Sequence, residues 1–201
     1  MPTVRAALAP ADRFVTRRFQ GAGNVVVLLG EGRGELGGSE YLKLVHGVVR
    51  GAPPSLDLDA ERALQTLLVE LADARLMRSA HDCSDGGLAV TLAECCFDTE
   101  GIGADVSIDP VAVGRAETLN RAAALFGESA SRVVVSAAPE AASEVLRRAS
   151  AAGVPARIIG RTGGRLLRIT VGGDLVVDVT LVDAERAWSD SISRYFAKRV
   201  A

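Results

Sequence analysis

The chain has 201 residues, with 23 basic and 25 acidic side chains and a formal net charge of −2. Apolar residues make up 48%, enough to bury a sizeable core and to exclude general disorder. The balance of charge, with scattered basic residues and only 4% aromatics, speaks against a nucleic-acid or membrane-surface binder.

Residues 1–20 read as an irregular lead-in, and 21–201 as a single domain. Val25–Leu29 is an apolar, β-branched run bounded by turn residues, which predicts a buried strand. A glycine-rich loop from Gly30 to Glu40 follows, and Gly51 to Pro54 is a second break. Asp57 to Met77 has helical spacing, with Leu64, Leu67, Leu68 and Leu71 on one face and Asp57 as N-cap. Ser79 to Gly87 reads as a polar link, Leu88 to Phe97 as a buried helix, and Ala104 to Ile108 as a half-buried strand. A helix over 114–125, a strand from Arg132 to Ser136, a helix from Pro139 to Ala152 and a strand from Ala156 to Ile159 come next. Gly172-Gly173 predicts a hairpin between Arg165–Thr170 and Asp174–Leu181. Ala184 to Phe196 reads as a closing helix, with Trp188, Ile192, Tyr195 and Phe196 as a docking stripe. Strands and helices thus mix throughout, which predicts an α+β fold, a mixed α/β sandwich rather than a doubly wound parallel sheet.

Cys83, Cys95 and Cys96 form no Cys-x-x-Cys pair, so a zinc site or disulfide framework is poorly supported and a reducing cytoplasm fits. No run approaches the ~18 apolar residues of a membrane span.

Three segments carry chemistry. In Glu35-Leu36-Gly37-Gly38-Ser39-Glu40, paired glycines let backbone approach a ligand, with Gly37, Gly38 and Ser39 as the contacts. The other reading is a tight loop after a strand. In Ser79-Ala80-His81-Asp82-Cys83-Ser84-Asp85-Gly86-Gly87-Leu88, a polar loop opens into a helix, whose N-terminus favours anions. His81, Ser84, Gly86 and Gly87 are phosphate-binding candidates there, and Asp82 and Asp85 are hard oxygen ligands suited to Mg²⁺. The other reading is that Ser84 or Asp85 caps the helix and the glycines allow close packing. In Leu125-Phe126-Gly127-Glu128-Ser129-Ala130-Ser131-Arg132, short polar side chains, Glu128 and Ser129 among them, stand before a strand, either as ligand contacts or as a plain connection.

The runs Gly34-Glu35-Leu36-Gly37-Gly38-Ser39-Glu40-Tyr41-Leu42, Ser79 to Val90 and Leu125 to Val133, in that order, resemble the phosphoribosylformylglycinamidine synthase family of purine biosynthesis. The resemblance covers about residues 13–196 and matches only the last of that family's four pieces. It implies the C-terminal domain fold of the aminoimidazole ribonucleotide synthetase superfamily. It also implies an ATP/ADP- and Mg²⁺-using C–N ligase that converts formylglycinamide ribonucleotide to the amidine with ammonia from glutamine. The implied partners are the missing barrel-forming and first-repeat domains, a glutaminase subunit and a small bridging subunit. In the family's first repeat the loop matching Glu128-Ser129 continues with Gln and contacts substrate; here Ala130 stands there. The isolated chain is therefore expected to be inactive alone and to self-associate through a face that normally meets its partner. The alternative is a stand-alone, non-catalytic domain of the same fold that binds a nucleotide or a partner.

Overall fold

The computed structural model describes residues 14–113 and 118–191. Its centre is a seven-stranded sheet built from β1 (Val25–Leu29), β2 (Ser79–Asp82), β3 (Ala104–Ile108), β6 (Val133–Ala137), β7 (Ala156–Thr162), β8 (Leu166–Val171) and β9 (Asp174–Thr180), in the order β2-β6-β1-β7-β3-β8-β9. All pairings are antiparallel except β3 with β8. A separate two-stranded ladder joins β4 (Val111–Val113) and β5 (Thr118–Asn120). The helices are α1 (Glu40–His46), α2 (Leu58–Asp73), α3 (Gly87–Cys96), α4 (Arg121–Phe126), α5 (Ala142–Ala151) and α6 (Leu181–Ser189).

The unbroken apolar character of β1 has a physical cause. Val25, Val27 and Leu29 pack with Leu64, Leu67 and Leu71 of α2 and with Val145 and Ala149 of α5. Val26 and Leu28 point the other way, into a cluster with Leu88 and Leu92 of α3 and Leu125 of α4. Successive strand side chains alternate between faces, so a strand covered on both faces must be apolar at every position. β3, by contrast, alternates buried and exposed residues along its length. The result is a mixed α/β sandwich, as the pattern of elements implies.

Local chemistry sets several boundaries. Asp57 caps α2, its carboxylate accepting the N–H groups of Asp59 and Ala60 at 3.0 and 3.1 Å. Burial on α2 falls on Leu64, Leu67 and Leu71, while Leu68 is only partly covered. The hairpin of β8 and β9 turns at Gly172-Gly173.

Other elements depart from the sequence reading. Ser79–Asp82 is not a link but an edge strand, paired with β6, where the Ser79 and Ser136 hydroxyls meet at 2.6 Å. Its polar character suits an edge, and only the pairing with the apolar β6 makes it a strand. The helix expected from residue 114 starts at Arg121, because Asn120 caps it and Thr118–Asn120 is paired in β5; residues 114–117 lie outside the described residues. Pro139–Ala141 forms a 3-10 turn before α5. The closing helix starts at Leu181 rather than Ala184, since Thr180 caps it by accepting the Asp183 N–H at 3.1 Å. Trp188 stays half exposed against Phe97, and Ile192, Tyr195 and Phe196 lie outside the described residues. Glu40–His46, for which the sequence pattern predicts no element, is a short helix between the Ser39 cap and Gly47.

The lead-in from Phe14 onward packs onto the domain. Phe19 is buried, its N–H donating to the Cys95 carbonyl at 2.9 Å, and the Ala80 N–H donates to the Thr16 carbonyl at 3.0 Å. Among the described residues no helix is long and apolar enough to cross a membrane.

Candidate functional site

The three chemistry-bearing segments are far apart in sequence and meet at one side chain. Glu128 Oε1 accepts the N–H of Glu40 at 3.0 Å and the N–H of Gly86 at 2.8 Å. Glu40 opens α1 and Gly86 is the N-cap of α3, so one carboxylate serves two helix N-termini, where negative charge is favoured. The Glu128 N–H in turn donates to the Glu35 carbonyl at 2.9 Å. Ser129 is buried, and its hydroxyl accepts the Arg33 N–H at 3.0 Å.

Two more contacts tighten this junction. Ser39 is fully buried, with its hydroxyl donating to the Leu36 carbonyl at 2.6 Å and accepting from Leu42 at 3.4 Å. Gly87 has φ +67, and a Cβ there would lie 2.6 Å from the Gly127 carbonyl oxygen. That closeness explains why the second glycine of the pair cannot carry a side chain. Neither Ser84 nor Asp85 caps α3; the cap residue is Gly86, and no side chain bonds the first turn from the cap position.

Glu35 braces the same loop from the other side. Its Oε1 accepts both the N–H and the hydroxyl of Ser55 at 2.8 Å. Its Oε2 is shut off from solvent without a hydrogen bond of its own. Burial pushes this carboxyl up, but the Ser55 hydrogen bonds, the nearby polar Ser129 hydroxyl and the Arg33 charge together outweigh it and hold the group below its ordinary range.

Beside the junction runs an open polar strip. His81 sits between two carboxylates, Nε2 2.8 Å from Glu94 Oε2 and Nδ1 3.3 Å from Asp82 Oδ1. The Ser84 hydroxyl donates to Asp82 Oδ2. That bond is the largest cause holding the Asp82 carboxyl below its ordinary value, against partial burial. Asp82, Ser84 and Asp85 are exposed, and Asp85 lies near enough to Lys43 of α1 to act on its charge.

Among the described residues no three His, Cys, Asp or Glu side chains gather as a metal cage. The donor set near α3 is two exposed carboxylates. That set fits Mg²⁺ only as an ion completed by water and ligand phosphates, its ordinary mode of binding. The three cysteines are buried thiols; burial pushes Cys96 up to about 12 and Cys83 and Cys95 higher than usual, which makes them poor nucleophiles.

The sequence reading missed Arg33 and Ser55 as parts of the site, and it placed Arg132 in the third segment without giving it a role of its own. Arg132 is 4% exposed and donates from Nε to the Ser129 carbonyl at 3.0 Å and from a terminal nitrogen to the Gly127 carbonyl. The available signal was an arginine standing immediately before the run Val133-Val134-Val135, where a charge must be held if it is to be buried.

A mixed sheet between two helical layers, with three loops tied by a glutamate, defines a domain class. Residues 21–172 match the AIR synthase related protein, C-terminal domain, and the chain belongs to that family. Among individual proteins it is 41% identical over 180 residues to the phosphoribosylformylglycinamidine synthase subunit PurL of Moorella thermoacetica, covering 90% of this chain and 24% of that protein. It is 42% identical over 187 residues to the same subunit of Anaeromyxobacter dehalogenans, covering 91% of this chain and again 24% of the relative. The chain therefore spans about a quarter of the length of the curated relatives it matches. The fold recurs in Thermotoga maritima PurL complexed with FGAR, with a TM-score of 0.72 at 21% identity over 87% of this chain and 30% of that one. The hydrogenase maturation protein HypE of E. coli is a more distant likeness, with a TM-score of 0.52 at 19% identity over 83% of this chain and 51% of that one.

Proposed function

We propose that this chain is the C-terminal domain of a phosphoribosylformylglycinamidine synthase, with residues 21–201 as the domain and 1–20 as its lead-in. The intact enzyme would convert formylglycinamide ribonucleotide to the amidine, using ATP and ammonia derived from glutamine. The observation that carries this reading is the convergence of all three family motifs on Glu128, in a chain 41% identical to a PurL subunit over nearly its whole length. Solved relatives of the same fold include T. maritima PurL complexed with ATP and the PurLQS assembly, which supports a nucleotide and partner subunits for the whole protein.

Within that role the candidate residues divide. Glu128, Ser129, Ser39 and Gly87 hold the loops in place. Gly37, Gly38, Gly86, His81 and Ser84 would contact a nucleotide phosphate from the outer side of these loops, since Glu128 already accepts the Gly86 N–H at the α3 N-terminus and the Gly38 N–H donates to the Arg50 carbonyl. Asp82 and Asp85 would hold Mg²⁺, which neutralises phosphate charge when bound. Asp82 is kept ionised for that purpose by the Ser84 hydroxyl and His81. The partners would be the missing barrel-forming and first-repeat domains, the glutaminase subunit and the small bridging subunit, with the cytoplasm as the compartment.

Two measurements test the reading. The chain alone should release no ADP with formylglycinamide ribonucleotide and ammonia; ammonia-dependent release that Asp82→Ala abolishes would overturn the need for other domains. Exchanged for the matching quarter of the Moorella relative, the chain should restore amidine synthesis to the truncated enzyme. A soluble, assembled chimera without activity would instead favour the stand-alone binding domain.

A further inference from the structure

One cleft lies apart from the residues proposed for nucleotide and Mg²⁺, although Leu88 and Arg132, from two of the motif runs, line it. It has a volume of about 590 Å³ and opens where β1 ends and β6 and β7 begin. Leu28, Leu88, Ala124 and Val111 give it an apolar wall. Gly32, Arg33, Arg132 and Arg157 give it a polar one. A cleft of this size suits a small molecule, since such sites run to about 300–1,000 Å³.

The decisive residue is Arg132. It is only 4% exposed, and its guanidinium has no carboxylate partner among the described residues. Its bonds there run from Nε and one terminal nitrogen to the backbone carbonyls of Ser129 and Gly127. The other terminal nitrogen, Nη1, has no partner among the described residues and faces Gly32, where a Cβ would come within 3.4 Å of it. Nη1 is not shut off from solvent, so water or an anion in the cleft can reach this largely buried cation, and an anion would compensate its charge. The absence of a side chain at Gly32 leaves room beside Nη1.

The surroundings favour that anion. Three arginines line the cleft against two carboxylates, and of those Asp109 is already paired with Arg157 at 3.0 Å, while Glu31 is exposed. Arg33 is anchored by its Nη1 to the Ser55 hydroxyl at 3.0 Å, where its charge serves Glu35 and Asp57, so the charge left for a ligand is that of Arg132. Planar guanidinium forks match phosphate oxygens well. The apolar wall calls for a body attached to the phosphate.

We propose that this cleft binds a small phosphate monoester, with the phosphate on Arg132 and its body along Leu28, Leu88 and Ala124. The proposal does not rest on the synthase reading, because none of the residues assigned there to nucleotide or Mg²⁺ lines the cleft.

Ribose 5-phosphate and orthophosphate titrated into the 201-residue chain, read by calorimetry and thermal shift, provide the test. Ribose 5-phosphate should bind saturably and at least about tenfold more tightly than orthophosphate. Arg132→Lys should lose that binding. Because Arg132 also pins a loop, Gly32→Val and Arg157→Gln carry the test independently. Gly32 does not have the positive φ that disfavours L side chains, so its added methyls obstruct Nη1 without backbone strain. Each should weaken ribose 5-phosphate by about tenfold or more, while the exposed control Arg147→Gln and the strip variant Asp82→Asn leave it unchanged. No saturable binding, equal affinity for both probes, or unimpaired binding in folded Gly32→Val and Arg157→Gln would each overturn the proposal. Loss of binding in Asp82→Asn would also overturn it, by merging the cleft with the strip.

Discussion

The Glu128 junction and the His81–Asp82–Ser84 strip use the same loops and neighbouring residues, yet they differ in what they have left to offer. At the junction, the helix N-termini that would attract an anion already have one, the carboxylate of Glu128. Ser39 and Ser129 are buried and bonded to backbone. Along the strip, Asp82, Ser84 and Asp85 face solvent, and Asp82 bonds to its neighbours His81 and Ser84. Residues of one motif can therefore serve opposite ends. Some use their polarity to hold the fold, and others keep it available for a ligand.

Breaking the junction should cost stability in proportion to how little its neighbours can give. Gly87→Val has the largest expected effect: its Cβ would strike the Gly127 carbonyl and the Phe126 backbone in a left-handed conformation. A loss on the order of 3 kcal/mol is expected in urea unfolding, and a near-silent substitution would mean that the α3–α4 contact is loose.

Glu128→Ala should follow, at about 2 kcal/mol, because it leaves the N–H groups of Glu40 and Gly86 without their charged acceptor. Hydrogen exchange at those two amides gives the sharper reading. Protection should fall at both together if one carboxylate ties them, and at neither if the helices hold themselves.

The smallest effect separates the two regions by pH. Glu35 at the junction and Asp82 on the strip are both held below their ordinary values of 4.5 and 3.8. A carboxyl depressed in the folded state adds stability above its unfolded pKa, and that stability is lost as pH falls through the folded value. Glu35→Gln should thus flatten the loss of stability below pH 4.5. Asp82→Asn should flatten it less, since its more exposed carboxylate is better screened by solvent. Equal flattening would erase the distinction between holding and open residues.

Much of the fold was legible where the cause is local. The apolar run Val25–Leu29, the leucine spacing of α2, the Asp57 cap and the Gly172-Gly173 turn each act within a few residues. The three motifs were legible too, but not the division of labour among them. Glu128 lies 88 residues from Glu40 and 42 from Gly86, so nothing in its neighbourhood signals that it bonds either. Strand β2 was illegible for the same reason, since its polar residues become a strand only by pairing with β6.

By itself, then, the sequence determined the mixed order of strands and helices, the positions of caps and turns, and a set of motifs specific enough to point to a family. These arise from periodicity, backbone preference and short-range hydrogen bonding. Only the tertiary structure decided which polar residues are used up and which remain free. It buried Arg132 without a counter-ion among the described residues, left its Nη1 facing an open cleft, and placed Glu128 across two helix ends. Burial and partner choice are properties of the packed chain, because they depend on which distant segments exclude water around a group.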